Sequence, residues 1–403
     1  MKPENAAHPY WVYTQEILRY KLSGSSSAPA LYPSGETETQ KALLKGLKGW
    51  KAAKKPFFLL LGLGTGDLAQ ALDKALPPDV GLIVSELAPE NARDLQSRKK
   101  LSWWSAKSGS QILADTSPWA HFHLWMLSGL SPENTFVQVN PELGKSASAY
   151  NKLRKIFTAA RPAKPKQTEP GPPLTVAAIL SPRDPGLPEF FRQIPPYVKE
   201  TVVVWDAGSV PDLTFETQSP VRALARPLKN DFAAQRNAML DATASGWVFS
   251  LDADERLAPS LWNAPGKLAA LGERSGINAF YFPRQTLCPD MEHCLAGYGL
   301  WPDIQLRLFK KTPDLRFKRP VHEKLENVRG PFGLVLNAPL THLNRILKSP
   351  SQVREKLALF DKAGKGRVKH RLSGEYPRLA VSFFPRAKGV KELLTVVLPH
   401  NPV

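Results

Sequence analysis

Gly246-Trp-Val-Phe-Ser-Leu-Asp-Ala-Asp-Glu-Arg-Leu257 decides how this chain is read. A run of strand-type apolar residues empties directly into Asp252-Ala253-Asp254-Glu255, and a strand apolar on both faces belongs inside a parallel sheet. Side chains alternate faces along an extended chain. Asp252 and Asp254 are therefore expected to leave the strand end on one side, repelling each other unless a cation lies between them. Carboxylate oxygens suit hard ions such as Mg²⁺ or Mn²⁺, which keep some waters and also bind substrate phosphates. Such a site needs both carboxylates facing one cavity; two groups that diverge, or that internal arginines consume, would not form it. The plainer alternative is that the acids open a turn or a helix.

Upstream, Lys199-Glu-Thr-Val-Val-Val-Trp-Asp-Ala-Gly-Ser209 repeats the layout, with a β-branched strand ending at Asp206. Leu174 to Leu180 is a further apolar run, and Leu187 to Tyr197 reads as a crossover helix interrupted by Pro195 and Pro196. These are βαβ units, and open α/β sheets bind ligands beyond the carboxyl ends of their strands, so Asp206, Asp252 and Asp254 are expected on one edge. Between them, Asn230 to Ala244 reads as a helix capped by Asn230 or Asp231, with Arg236 in its first two turns. In isolation, Arg236 and Asn237 would read as solvated helix surface.

The ordered blocks Val-Val-Val-Trp-Asp-Ala-Gly-Ser, Asp-Phe-Ala-Ala-Gln-Arg-Asn, Trp-Val-Phe-Ser-Leu-Asp-Ala-Asp-Glu, Asp303-Ile-Gln-Leu-Arg-Leu-Phe309 and Val321-His-Glu323 carry a resemblance. Together they are similar to family 2 glycosyltransferases, in particular to bacterial enzymes that extend lipopolysaccharide cores or related surface glycans. The resemblance covers residues 174–345 and implies a GT-A fold, an inverting mechanism, a nucleotide-sugar donor (UDP-linked in our expectation) and a glycan or glycolipid acceptor. Asp206 would then hydrogen-bond the nucleoside, Arg236 would lie near the diphosphate, and Asp252 and Asp254 would hold it through the metal. Pro211 departs from the family's usual Asp-x-Gly-Ser-x-Asp block and leaves Asp212 without a clear role.

Inversion by direct displacement needs a base for the acceptor hydroxyl as well as charge stabilisation for the departing diphosphate. Asp303 is the first candidate base, with the loop of Gly297, Gly299, Trp301 and Pro302 before it as an acceptor wall. The competing reading makes Asp303 a helix N-cap. His322 and Glu323 are second candidates, and an imidazole at His322 can instead bind metal or phosphate. The basic string Arg307, Lys310, Lys311, Arg316, Lys318 and Arg319 is either solvated surface or the wall of a positive cleft. His342 reads as a packed histidine rather than a ligand.

Composition sets the outer limits. With 403 residues and 42% apolar content the chain can bury two ordinary cores. Residues 341–403 hold 13 Lys and Arg against 4 Asp and Glu, half of the net charge of +18. This basic tail, with Phe383, Phe384 and Leu393 to Leu398 interleaved, suits docking on an anionic membrane or, alternatively, capping the preceding domain. No nucleic-acid module accompanies the charge, so nucleic acid is not the expected partner. The chain lacks a bilayer-length apolar segment and its first residues lack the apolar core of a secretion signal, which gives a cytoplasmic expectation. Cys288 and Cys294 read as reduced thiols, and with His293 they make only a thin case for a metal site.

Arg161 to Pro173 is proline-rich without apolar periodicity and reads as a semi-rigid linker. It divides a domain over 1–160 from the 174–345 domain, with a basic extension over 346–403. In the first domain, Phe57-Phe-Leu-Leu-Leu-Gly-Leu-Gly-Thr-Gly-Asp67 is a buried strand running into a glycine loop, and Val80 to Glu86 is a second strand ending in an acid. It resembles the S-adenosylmethionine-binding half of a methyltransferase, with Asp115 as an adenine-side acid. Leu60 stands where that family usually has an acid, and the Gly62-x-Gly64-x-Gly66 spacing misses the dinucleotide fingerprint. The expected architecture is thus α/β, a Rossmann-like domain followed by a GT-A domain. A methyltransferase, alone or bifunctional with sugar transfer, is the alternative function.

Overall fold

The computed structural model describes residues 7–20, 35–168, 170–244, 246–320, 323–363, 376–399 and 401. The chain forms two compact units: one of residues 1–161, 295–302 and 375–383, the other of 162–294, 303–374 and 384–403.

The first unit is built on four parallel strands in the order Gln111–Ala114, Gly81–Glu86, Phe57–Leu61, Thr135–Val139. Phe58 to Leu61 are fully buried, as a continuous apolar run in a parallel sheet requires. Helices Asp67–Ala75, Pro89–Ser97 and Pro118–Leu127 make the crossovers between these strands. The segment Leu295–Pro302 also belongs to this unit. Trp301 is therefore not an acceptor wall: it is 1% exposed, its ring 6.0 Å from Tyr13 and 5.9 Å from His123.

The second unit is organised by a sheet with the spatial order Arg161–Ala163, Thr395–Leu398, Phe332–Val335, Ala279–Thr286, Asp303–Lys311, Gly246–Ser250, Leu174–Leu180, Glu200–Trp205, Val221–Ala225. From Gly246–Ser250 to Val221–Ala225 the strands are all parallel. Asp303–Lys311 runs antiparallel to both of its neighbours. The chain steps outward from Leu174–Leu180 to Val221–Ala225 and then returns, through helix Phe232–Ala242, to the other side of Leu174–Leu180. The order reverses there, at the carboxyl ends of Leu174–Leu180 and Gly246–Ser250, the position where open α/β sheets bind ligands.

Several sequence expectations change in three dimensions. The crossover helix stops at Arg192, ahead of Pro195 and Pro196. Val221–Ala225 was not anticipated as a strand, because it is an edge strand with four of its five residues exposed and so lacks a buried strand's apolar run. Asp303 begins a strand and caps no helix. The start of the linker, Arg161–Ala163, is a sheet strand. The basic tail supplies Thr395–Leu398 to the same sheet, and Phe384, Leu393, Val396 and Leu398 are buried. Those apolar side chains serve the core and are not available to a membrane.

Candidate functional site

The strand carrying Trp247 to Ser250 ends before the acids, so side-chain alternation no longer governs them. Residues Asp252 to Glu255 close a turn in which the Glu255 N–H donates to the Asp252 carbonyl at 3.0 Å. The two aspartates consequently part, which corrects the expectation that they share one side.

Asp252 meets guanidinium groups. Arg236 donates to its Oδ1 at 3.0 Å and Arg307 to its Oδ2 at 2.6 Å, with Arg284 Nη1 3.9 Å away. Burial alone would raise the Asp252 carboxyl, but the charges of Arg307, Arg236 and Arg284 outweigh it and hold the group well below the usual carboxylate range. Arg307 also donates to Glu255 at 2.6 Å, and Glu255 is fully buried. Arg236 reaches Asp252 from helix Phe232–Ala242, which Asp231 caps by accepting from the Ala234 N–H at 2.9 Å. Its Nε donates to Glu323 at 2.5 Å. Neither Arg236 nor Asn237 is solvated surface: Arg236 is buried, and the Asn237 amide hydrogen-bonds both backbone groups of Phe317.

Asp254 turns to other partners. Its Oδ1 lies 3.6 Å from His342 Nε2 and its Oδ2 accepts from Lys348 Nζ at 3.2 Å. The short strand Leu340–His342 pairs with both Glu255–Arg256 and the end of Ala279–Thr286, which sets His342 opposite Glu255 and Thr286. His342 Nδ1 shares a hydrogen bond with Thr286 Oγ1 at 2.8 Å, which fixes the ring and leaves Nε2 toward Asp254. Burial, reinforced by the nearby Arg284 charge, pushes the His342 imidazole down to about 3, so it is neutral at physiological pH. A neutral imidazole nitrogen beside a carboxylate is a ligand pair for a divalent cation. The better fit to a metal therefore lies with Asp254 Oδ1 and His342 Nε2: arginines take both Asp252 oxygens, whereas Lys348 takes only Oδ2 of Asp254. Among the described residues no group of three or more His, Cys, Asp or Glu side chains is placed to hold a metal ion, Cys288, His293 and Cys294 included. Among the described residues the pair supplies two ligands. His342 was readable only as a packed residue because the partner that gives it a role lies 88 positions away.

Asp303 begins its strand on the same edge. Arg284 donates to its Oδ2 through Nε at 2.8 Å and Nη2 at 2.5 Å, and Gln305 donates to Oδ1 at 2.6 Å. Burial raises the Asp303 carboxyl, yet Arg284 and Gln305 bring it below its ordinary value. Arg284 thus touches Asp303, Glu255 and the surroundings of Asp252 at once. The block that drew attention to Asp303 and Arg307 did not include it. Asp206 is exposed at the end of Glu200–Trp205, its Oδ1 accepting from the Leu228 N–H at 2.7 Å. It stands two strands from Gly246–Ser250, roughly 10 Å at ordinary strand spacing. His322 lies outside the described residues.

The acids of the first unit are engaged differently. Glu86 accepts from the Leu63 and Ala88 N–H groups at 2.9 and 2.8 Å, from Asn91, and from the Tyr150 hydroxyl. Asp115 accepts from the Tyr13 hydroxyl at 2.5 Å and from the Ser117 and Tyr298 N–H groups at 2.8 and 3.1 Å. The glycine loop itself is closed by Glu142, whose carboxylate takes the Thr65 N–H and hydroxyl at 2.8 and 3.0 Å and stands where a Cβ on Gly64 would go. The side chains placed to bind a ribose or an adenine are hydrogen-bonded within the chain.

No known family pattern matches this sequence. A TPR repeat-containing protein of Synechococcus elongatus is 31% identical over 143 residues, 35% of this chain and 32% of the relative. The chain thus spans about a third of that relative's length. The crystal structure of S. aureus TarS 1–349 superposes with a TM-score of 0.26 and 13% identity over 36% of this chain and 50% of that one. A superposition of that quality assigns no fold.

Proposed function

We propose that the second unit transfers a sugar, with inversion, from a nucleotide-sugar donor to a hydroxyl of a glycan or glycolipid acceptor. The observation that carries this reading is that Asp252 and Asp303, with Arg236, Arg284 and Arg307 between them, stand at the carboxyl edge of the parallel part of a mixed sheet, next to its switch point, with Asp254 in the turn after Asp252 and Asp206 two strands away on the same edge. That layout is what the family 2 resemblance implies for a GT-A domain. Asp206 takes the nucleoside end. Arg236 and Arg307 come within reach of a diphosphate by loosening their hold on Asp252, and guanidinium groups suit phosphate oxygens. A Mg²⁺ or Mn²⁺ ion held by Asp254 and His342 would offset the charge that develops on the leaving diphosphate. Asp303 or Glu323 receives the acceptor's proton. Arg284 keeps Asp303 ionised and oriented, at the expense of its strength as a base.

The decisive measurement is calorimetry with UDP-sugars with and without Mn²⁺, paired with assay of free UDP release. Metal-dependent donor binding is expected in the intact protein. Asp254→Asn and His342→Gln, which keep hydrogen-bonding groups in these buried positions, should each lower metal-dependent UDP release by about 100-fold in protein shown by circular dichroism to be folded, and binding unaffected by either change would overturn the metal assignment. Response to S-adenosylmethionine in place of UDP-sugars would favour methyl transfer instead.

A further inference from the structure

Helix Glu36–Ala53 carries a face that its own unit does not use. At 3.6 residues per turn, Lys41, Leu44, Lys45, Lys48 and Lys51 fall within an arc of about 120°. All five are exposed, and Leu44, at 60%, has the highest exposure of the large apolar side chains among the described residues. The opposite arc is pressed onto the sheet. Ala42 is buried, a Cβ at Gly46 would run into Gln138, and one at Gly49 would lie 2.7 Å from Phe136. Glycines weaken a helix, so two in mid-helix mark this as the side that needs close approach. From Thr39 to Lys55 the chain has six lysines and no acid. Lys41 pairs with Glu38 at 2.8 Å, while Lys45, Lys48 and Lys51 have no acidic partner among the described residues.

A lysine run by itself is solvated surface. Here an exposed leucine lies inside the lysine arc, between Lys48 and Lys51 in projection, and every cation in it is lysine. Nucleic-acid surfaces draw on the arginine fork and on stacking aromatics, both missing from this arc. An anionic bilayer asks only for positive charge flanking an apolar side chain that enters the headgroup layer. The basic tail, the other candidate for such docking, has Phe384, Leu393, Val396 and Leu398 buried and presents Leu394 at 37% exposure, against 60% for Leu44.

We propose that the Lys41–Lys51 face of this helix docks on an anionic lipid bilayer, with Leu44 entering the headgroup region. The test reads lipid binding by the full chain and is indifferent to sugar transfer. Vesicles of phosphatidylcholine with phosphatidylglycerol should sediment the protein at low salt, pure phosphatidylcholine should not, and added salt should release it. Each basic side chain near such a surface counts for about fivefold in affinity, so Lys45→Gln with Lys48→Gln should weaken binding roughly 30-fold. Leu44→Ser should weaken it several-fold. Lys388→Gln with Lys391→Gln, the same charge change on the tail, should alter it less than about twofold, and melting temperatures should match throughout. Failure to sediment with anionic vesicles, or equal losses in the two double variants, overturns the proposal. So does single-stranded RNA binding that depends on Lys45 and Lys48 in a protein indifferent to vesicles.

Discussion

The two units present the same kind of sheet edge and treat it in opposite ways. In the first, Glu86, Asp115 and Glu142 are met by backbone N–H groups, tyrosines and a threonine. Burial prevails, raising Glu86 and pushing Asp115 up to about 6. In the second, Asp252 and Asp303 are met by arginines, and both are held ionised. Asp252 and Asp303 remain about a quarter exposed, whereas Glu86 and Asp115 are sealed. An edge closed by neutral donors is finished as structure. An edge closed by guanidinium groups carries donors that also suit an anionic ligand, and that contrast underlies the reading of the second edge as the proposed site.

The largest effect is expected at Arg307. Arg307→Ala removes the nearer of the two cations that Asp252 and Glu255 share, leaving Arg284 at 3.9 and 3.4 Å, and breaking a buried pair from one side costs about 3–5 kcal/mol. Urea denaturation measures it, and a loss below about 1 kcal/mol would mean these acids are solvated, erasing the contrast with the first unit.

Asp115 comes next. Its carboxyl titrates near 6 in the folded protein and near 4 when unfolded, so the folded state binds more protons between those values. Its contribution is therefore full below about pH 4, is lost as pH rises through 6, and is flat above. Asp115→Asn should remove that slope, so the stability difference between variant and parent shifts by on the order of 2 kcal/mol from pH 4 to pH 7. Parallel urea curves would show Asp115 to be as well paired as Asp252.

Glu142→Gln exchanges charge-assisted hydrogen bonds at the glycine loop for neutral ones and should cost about 1 kcal/mol in thermal melts. Neither it nor the parent is expected to bind S-adenosylmethionine in calorimetry. Binding gained by the variant would recast Glu142 as a latch over a usable pocket.

The smallest shift sharpens the second edge. Asp303 is held below its ordinary value by Arg284, so transfer activity should stay level into mildly acidic solution. Arg284→Met should move the acid limb of the pH–rate profile upward. An unmoved limb would pass the base role to Glu323.

Much of the second edge was legible along the chain. The apolar runs before Asp206 and Asp252 name buried parallel strands, and Asp231 with the stripe behind it names the helix that brings in Arg236. Strand alternation misled at Asp252 and Asp254, since the strand ends at Ser250 and a turn follows. Trp301 misled because its glycine-flanked loop looked open, while its ring packs on Tyr13 and His123.

The sequence by itself determined the α/β class, the buried strands and the acids at their ends, because burial on both faces and capping are written in local residue patterns. Only the tertiary structure decided what each acid meets. Arg284 beside Asp303, His342 beside Asp254 and Glu142 in the glycine loop join positions 19, 88 and 77 residues apart. Charge partners are chosen by strand register and helix placement, and no short-range pattern encodes those.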